Sequence, residues 1–209
     1  MHSRPASIVG VTFTLLDWRR RVAAMYADVR ATVDTDPEGT LARFRAAKDR
    51  LFAEHAESPI PVAERTAFGG LPYWPHDPAM RFVVPFEPLE PVAASATSIS
   101  GDAFALRRVG RVRMSVGDLE VYWIDVYGGG IFLPFRDGTS GSETYGAGRY
   151  LLDTVKGADL GGDVRGLVID FNYAYHPSCV YDPIWSCPLA PRANWLGAPI
   201  RVGERLQAT

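Results

Sequence analysis

The chain has 209 residues, 47% of them hydrophobic and 22% charged, and a formal net charge of -2. That length supports one sizeable core and argues against two ordinary domains. The near-balanced charge, with no run of Lys or Arg, excludes a general electrostatic pull toward nucleic acid or an anionic membrane. Lys48 and Lys156 are the only lysines, so almost all positive charge is arginine. Near the start, Arg4 and a short apolar run from Ile8 to Val11 are followed by Asp17 and the cluster Arg19, Arg20, Arg21, which interrupt a signal-peptide core before it is complete. No stretch has the uninterrupted apolar length that spans a bilayer. The expected compartment is the cytoplasm, where Cys179 and Cys187 are expected as reduced thiols rather than a structural disulfide.

From Leu16, the apolar residues Trp18, Val22, Met25, Tyr26, Val29 and Val33 recur every three or four positions, with arginines on the other side. This spacing predicts an amphipathic helix over 17–33. Asp36 before Pro37 is an N-cap followed by a proline in the first helical turn. Leu41, Phe44, Leu51 and Phe52 then continue a helical stripe to His55, until Ser58-Pro59 stops it. A helical hairpin docking by its apolar faces follows. His55 at its end is expected to cap terminal carbonyls.

From Phe82 the period changes from helical to alternating. Short β-branched or alternating runs occupy 82–86, 92–99, 104–109, 112–116, 119–127, 131–135, 145–152 and 167–171. Turn signals fall at Gly101-Asp102, Gly110, Gly117-Asp118 and Gly128-Gly129-Gly130. Short strands joined by tight turns predict a mainly β, α+β fold: an antiparallel, barrel-like or sandwich-like sheet with the helical hairpin packed on it. The whole chain, 1–209, reads as one domain, with a helical segment at 14–60 and a β-rich body at 66–209.

Two polar, glycine-punctuated motifs mark the C-terminal third: FRDGTSGSETYGAGRYLL from Phe135 to Leu152, and DFNYAYHPSCVYDPIWSCP from Asp170 to Pro188. With Pro191, Asn194, Pro199, Ile200 and Gly203-Glu204, they resemble the domain of unknown function 1684 family of bacteria and archaea. The resemblance extends upstream through Phe44-Arg45, Asp49-Arg50-Leu51-Phe52, His55, Ser58-Pro59, Phe68, Gly70-Leu71, Tyr73 and Asp77-Pro78. It brings no established activity with it. The family pattern usually has asparagine where this chain has His176, which argues against His176 as an essential general base.

The loop from Asp137 to Tyr145 is rich in hydroxyls and carboxylates and is followed by Arg149, whose guanidinium can fork onto a carboxylate or phosphate. The same residues also suit a structural loop, in which Asp137, Thr139 and Ser140 bond their own backbone while Arg149 pairs with Glu143 or Asp153. There is no G-x-S-x-G elbow and no S-x-x-K pair for a serine nucleophile, and Gly146 and Gly148 do not complete a dinucleotide fingerprint. Asp170 and Asn172 end an apolar strand, where they either wall a pocket or tie down the proline-rich loop beyond it. Cys179, Cys187 and His176 lack zinc-site spacing, with His2, His55 and His76 as remote candidates. Neither a metal nor a cofactor is expected.

The reading that follows is a cytoplasmic small-molecule-binding protein. Its ligand-binding residues are expected to be Asp137, Thr139, Ser140, Glu143, Tyr145, Arg149, Asp170 and Asn172, with the pocket opening between the Asp137 to Arg149 loop and the Asp170 to Cys187 segment. No nucleic-acid or membrane partner is expected. The alternatives are a cofactor-independent hydrolase, isomerase or cyclase using Glu143 or Asp170 as acid/base with Tyr145 or Arg149 steadying negative charge, and a structural or partner-binding protein without a pocket.

Overall fold

A computed structural model of the protein describes residues 8–163 and 166–207. Arg4 and His2 lie outside the described residues. Two helices come first, α1 (Ile8–Thr32) and α2 (Pro37–Glu54). α1 starts at Ile8, well before the stretch marked by the apolar period. α2 begins as its sequence signals dictate, with the Asp36 carboxylate accepting from Gly39 N–H at 3.0 Å and Pro37 in the first turn. His55 is the C-cap residue through its backbone N–H, which donates to Leu51 O. Its ring does not cap carbonyls. Nδ1 accepts from Glu57 N–H at 3.0 Å, and Nε2 lies 3.1 Å from Asp17 of α1, so the ring fastens the two helices together. The carbonyls beyond the helix are taken by Arg65, which reaches Ile60 O and His55 O at 2.9 Å and Ser58 O at 3.3 Å.

The rest of the chain forms two antiparallel sheets. β2 (Glu87–Thr97), β3 (Ala103–Met114), β4 (Gly117–Ile124), β5 (Gly130–Phe135) and β6 (Arg149–Asp153) make a five-stranded meander in the order β2-β3-β4-β5-β6. β1 (Arg81–Val84), β7 (Gly162–Asp163) and β8 (Gly166–Asp170) make a three-stranded sheet in the order β1-β8-β7. The fold is α+β, mainly β, and the sheets do not close into a barrel. Pro88 and Pro91 are accommodated because β2 is an edge strand, with a register shift between Pro88 and Val92.

One main core joins all three layers. It includes Tyr26 and Val29 of α1, Leu41 and Phe44 of α2, Leu119 and Val121 of β4, Leu133 and Phe135 of β5, Leu151 of β6 and Ile169 of β8. Phe44 bridges Tyr26 and Tyr173 edge-on, with ring centroids 5.1 and 5.0 Å apart. A second cluster, with Leu106, Tyr122, Phe132 and Tyr150, meets the main core at Tyr175. Asn194 locks the meander to the C-terminal segment. Its side chain accepts from Glu120 N–H at 2.8 Å and donates to Glu120 O at 2.9 Å and Pro134 O at 2.8 Å.

Gly110 corrects the strand assignment. It is no turn: β3 runs through it, with only a register shift between Arg108 and Gly110. A Cβ there would stand 2.4 Å from the Phe86 ring and 2.6 Å from Glu87 O, so glycine marks a close crossing of backbone and ring. Val116, assigned from sequence to a strand, lies in the β3–β4 turn. Elsewhere in a strand, alanine for glycine gains roughly 0.5–1 kcal/mol. At this crossing Gly110→Ala should instead destabilise the fold by about 1–3 kcal/mol through overpacking, read from the midpoint of urea unfolding followed by tryptophan fluorescence.

Candidate functional site

Arg149 enters the interior at the start of β6, 1% exposed, and burial pushes its guanidinium down to about 10. Such a group is tolerated only where its donors are engaged. Nη1 donates to Val202 O at 2.5 Å and Glu204 O at 3.0 Å, and Nη2 to Ile200 O at 2.7 Å and the Asp137 carboxylate at 3.2 Å. Nε alone has no partner. The accepting carbonyls sit at alternate residues, as successive same-side groups of extended chain do. The Asp137 carboxylate also accepts from Ile200 N–H at 2.6 Å and Thr139 Oγ1 at 2.7 Å, and Thr139 contacts Thr144 at 2.9 Å. Ser140 turns back onto Asp137, with its Oγ accepting from Asp137 N–H at 3.1 Å.

The other expected ligand residues fall into separate networks. Glu143 is half-exposed and forks onto Arg201 at 2.8–3.1 Å, whose hydrogen bonds hold its carboxyl below the usual range. Arg149 therefore pairs with neither Glu143 nor Asp153. Asp170 is 3% exposed and burial raises its pKa. It accepts from Asn172 N–H and Nδ2 at 2.9 Å, and Asn172 clamps both N–H and C=O of Asp77 at 2.9 Å. These two residues tie the strand end to the loop before β1. Tyr145 N–H donates to His176 Nε2 at 3.3 Å, and the Tyr145 hydroxyl accepts from Cys179 at 3.7 Å. None of these eight residues lines either of the two cavities described below.

The Arg149 clamp has a second effect: it delivers Glu204. Gly203, at φ +74°, packs where a Cβ would meet Phe171 O and Ala174 O at 2.7 and 2.6 Å, so Glu204 is held against the main chain. Glu204 N–H donates to Ala174 O at 2.9 Å. The carboxylate, 1% exposed, accepts from Lys48 Nζ at 2.5 Å on one oxygen. The other accepts from His176 N–H at 2.7 Å and from the Tyr181 hydroxyl at 3.3 Å. Lys48 is itself 6% exposed, and its ammonium stands over the rings of Tyr175 and Phe52 at 4.7 and 5.2 Å. Burial pushes the His176 imidazole down to about 4, against the pull of Glu204, so the ring is neutral at pH 7.

This cluster forms the partition between two cavities. A larger one of about 570 Å³ has Glu204, His176 and Tyr181 on one side and apolar residues of the segment from Ile60 to Pro72 on the other. A smaller one of about 100 Å³ has Lys48, His176, Asp153, Ser178 and Cys187 among aromatic rings that include Trp18, Tyr26, Phe44 and Phe52. The Asp170 to Cys187 segment thus borders both spaces, while the Asp137 to Arg149 loop borders neither. Cys179 and Cys187 are free thiols, and their mutual interaction pushes the Cys179 thiol up and draws Cys187 down. Among the described residues no group of three or more His, Cys, Asp or Glu side chains is arranged to hold a metal ion, and no helix is long and apolar enough to cross a membrane.

Sequence reasoning missed Lys48 and Glu204. The signal for Lys48 was its place on the apolar stripe of α2, four residues from Phe44 and from Phe52, where a lysine must be partnered if buried.

The model of a family described as protein of unknown function (DUF1684) matches residues 66–205. The chain belongs to this family. Lys48 lies before the span that the DUF1684 model matches, whereas His176 and Glu204 lie within it. Among solved structures, an uncharacterised protein of Haloarcula marismortui, determined by solution NMR, is similar at 32% identity with a TM-score of 0.57, covering 82% of this chain and 95% of that one. No curated protein matches the chain.

Two measurements probe the cluster. Lys48→Met leaves the Glu204 carboxylate buried without its cation and should destabilise the fold by about 3–5 kcal/mol. The double variant Lys48→Met/Glu204→Gln should recover part of that loss in urea unfolding. His176 has a folded pKa near 4 against 6.5 when unfolded, so the unfolded chain takes up the proton first as pH falls. Its contribution is present above pH 6.5 and is lost toward pH 4, a loss of roughly 3 kcal/mol. Asp153 and Asp170, raised by burial, act in the opposite sense. The pH profile of wild-type stability minus that of His176→Asn isolates the histidine and should slope by that amount.

Proposed function

We propose that this member of the DUF1684 family binds a small molecule in the cavity of about 570 Å³ above the Lys48–Glu204–His176 cluster. The observation that carries this reading is the buried ion pair at the cavity wall. Two charges brought out of water rarely gain stability over a well-packed apolar pair, and beside them His176, lowered by burial, is the kind of perturbed group that gathers with a concavity at binding and catalytic sites. The cavity is of the size that such sites have. One side is the segment from Val62 to Ala67, a 3-10 turn with no buried residue of its own. The same reading sets the protein in a reducing cytoplasm, supported by its two free thiols.

A second reading, catalysis without a cofactor, is favoured by Asp153. This residue lines the smaller cavity, and burial raises its carboxyl in the direction that suits a general acid.

A fragment library screened by ligand-observed NMR tests the binding reading. Ala67 is exposed and lines the larger cavity, so Ala67→Trp places an indole in its mouth with little demand on folding. Fragments that bind the wild type should lose binding to Ala67→Trp while its circular dichroism is unchanged. Binding that survives the substitution, or a screen without hits, overturns the proposal.

A further inference from the structure

We infer that the ligand of the larger cavity is a carboxylate with an apolar body, seated with its anionic end toward Arg205; this rests on the binding reading above. The cavity walls are mainly hydrocarbon, with Ile60, Phe68, Leu71, Val180 and Leu206 among them, which selects an apolar body. The polar groups on the wall are not equivalent. Glu204 is already engaged by Lys48, His176 N–H and Tyr181. His176 Nε2 already accepts from Tyr145 N–H.

Arg205 differs. It lines the cavity, its backbone N–H is bound to Pro72 O at 3.0 Å, and its side-chain Nε is a buried donor without a hydrogen-bond partner. Nε itself is closed off, but the residue is only part-buried on the cavity wall, so the remaining donors of its guanidinium are the ones that a ligand acceptor can reach. A guanidinium favours carboxylate over a neutral acceptor, because the bond is charge-assisted and can be bidentate. Four carboxylates lie near this site and bear on the preference; one of them, Asp49, accepts from Leu71 N–H at 3.0 Å behind the cavity wall, and burial raises its pKa. Glu204 is compensated by Lys48, and Glu143 is forked onto Arg201. Glu64, also on the cavity, is exposed, where solvent and salt screen its repulsion.

Octanoate, octanol and octylamine, titrated into the full chain by isothermal calorimetry at pH 7.5, test the inference. Octanoate should bind the wild type about tenfold or more tightly than the other two, as expected for one added charge-assisted contact. Arg205→Gln should abolish that preference, bringing octanoate down to the affinity that the same variant has for octanol, and Arg205→Lys should retain part of it. Octanol or octylamine binding as well as octanoate overturns the carboxylate assignment and leaves the cavity as a binding site. An octanoate preference that persists in Arg205→Gln overturns the role of Arg205. Absence of binding by all three probes overturns the inference, and fragment hits sensitive to Ala67→Trp then show that the binding reading itself survives.

Discussion

The burial of Arg149 fixes the path of the stretch from Ile200 to Glu204. A guanidinium at 1% exposure cannot be left without acceptors, and four of its donor contacts are met by Asp137 and by three carbonyls of one extended stretch. That stretch forms no regular strand with either sheet. It is kept straight by the arginine on one side and by pairing with the segment around Tyr73 on the other, where Trp74 N–H reaches Gly203 O at 3.1 Å and Arg205 N–H reaches Pro72 O at 3.0 Å. Desolvation opposes this arrangement and lowers the arginine's proton affinity, yet the acceptors around it are enough to keep it charged at pH 7.

The cluster at Glu204 is a product of that constraint. One carboxylate gathers a lysine from α2, a backbone N–H at His176 and a tyrosine hydroxyl from the loop beyond, so three otherwise independent pieces meet at two oxygen atoms. Each donor is stronger for acting on an ionised acceptor. The same burial keeps His176 neutral, so the positive charge beside Glu204 comes from Lys48.

Much of the fold was legible because its causes are local. Asp36-Pro37 specifies a helix start by side-chain geometry alone, and the switch from helical to alternating period marks the passage into the sheets. Gly110 was misread because its cause is tertiary: the glycine answers the Phe86 ring, not a bend in its own strand. The polar motifs are plain in the sequence, but their chemistry does not say whom they bond. Asp137, Thr139 and Ser140 close on one another and on Arg149, and Asp170 with Asn172 closes on Asp77, because buried polar groups take the nearest partners available. Lys48 and Glu204 stand 156 positions apart, and no pattern of local spacing connects residues at that distance.

That separation also bears on how the molecule is assembled. During synthesis the helical hairpin, with Lys48 on its apolar stripe, is complete well before the residue that neutralises it, which emerges 156 positions later. A helix whose inner face bears an unpaired ammonium is poorly suited to premature burial against the half-made sheets, since the ion would enter a dry interior alone. The ion pair therefore closes a loop of 156 residues, and α2 can bury its lysine with the charge matched only once both ends of that span are in place.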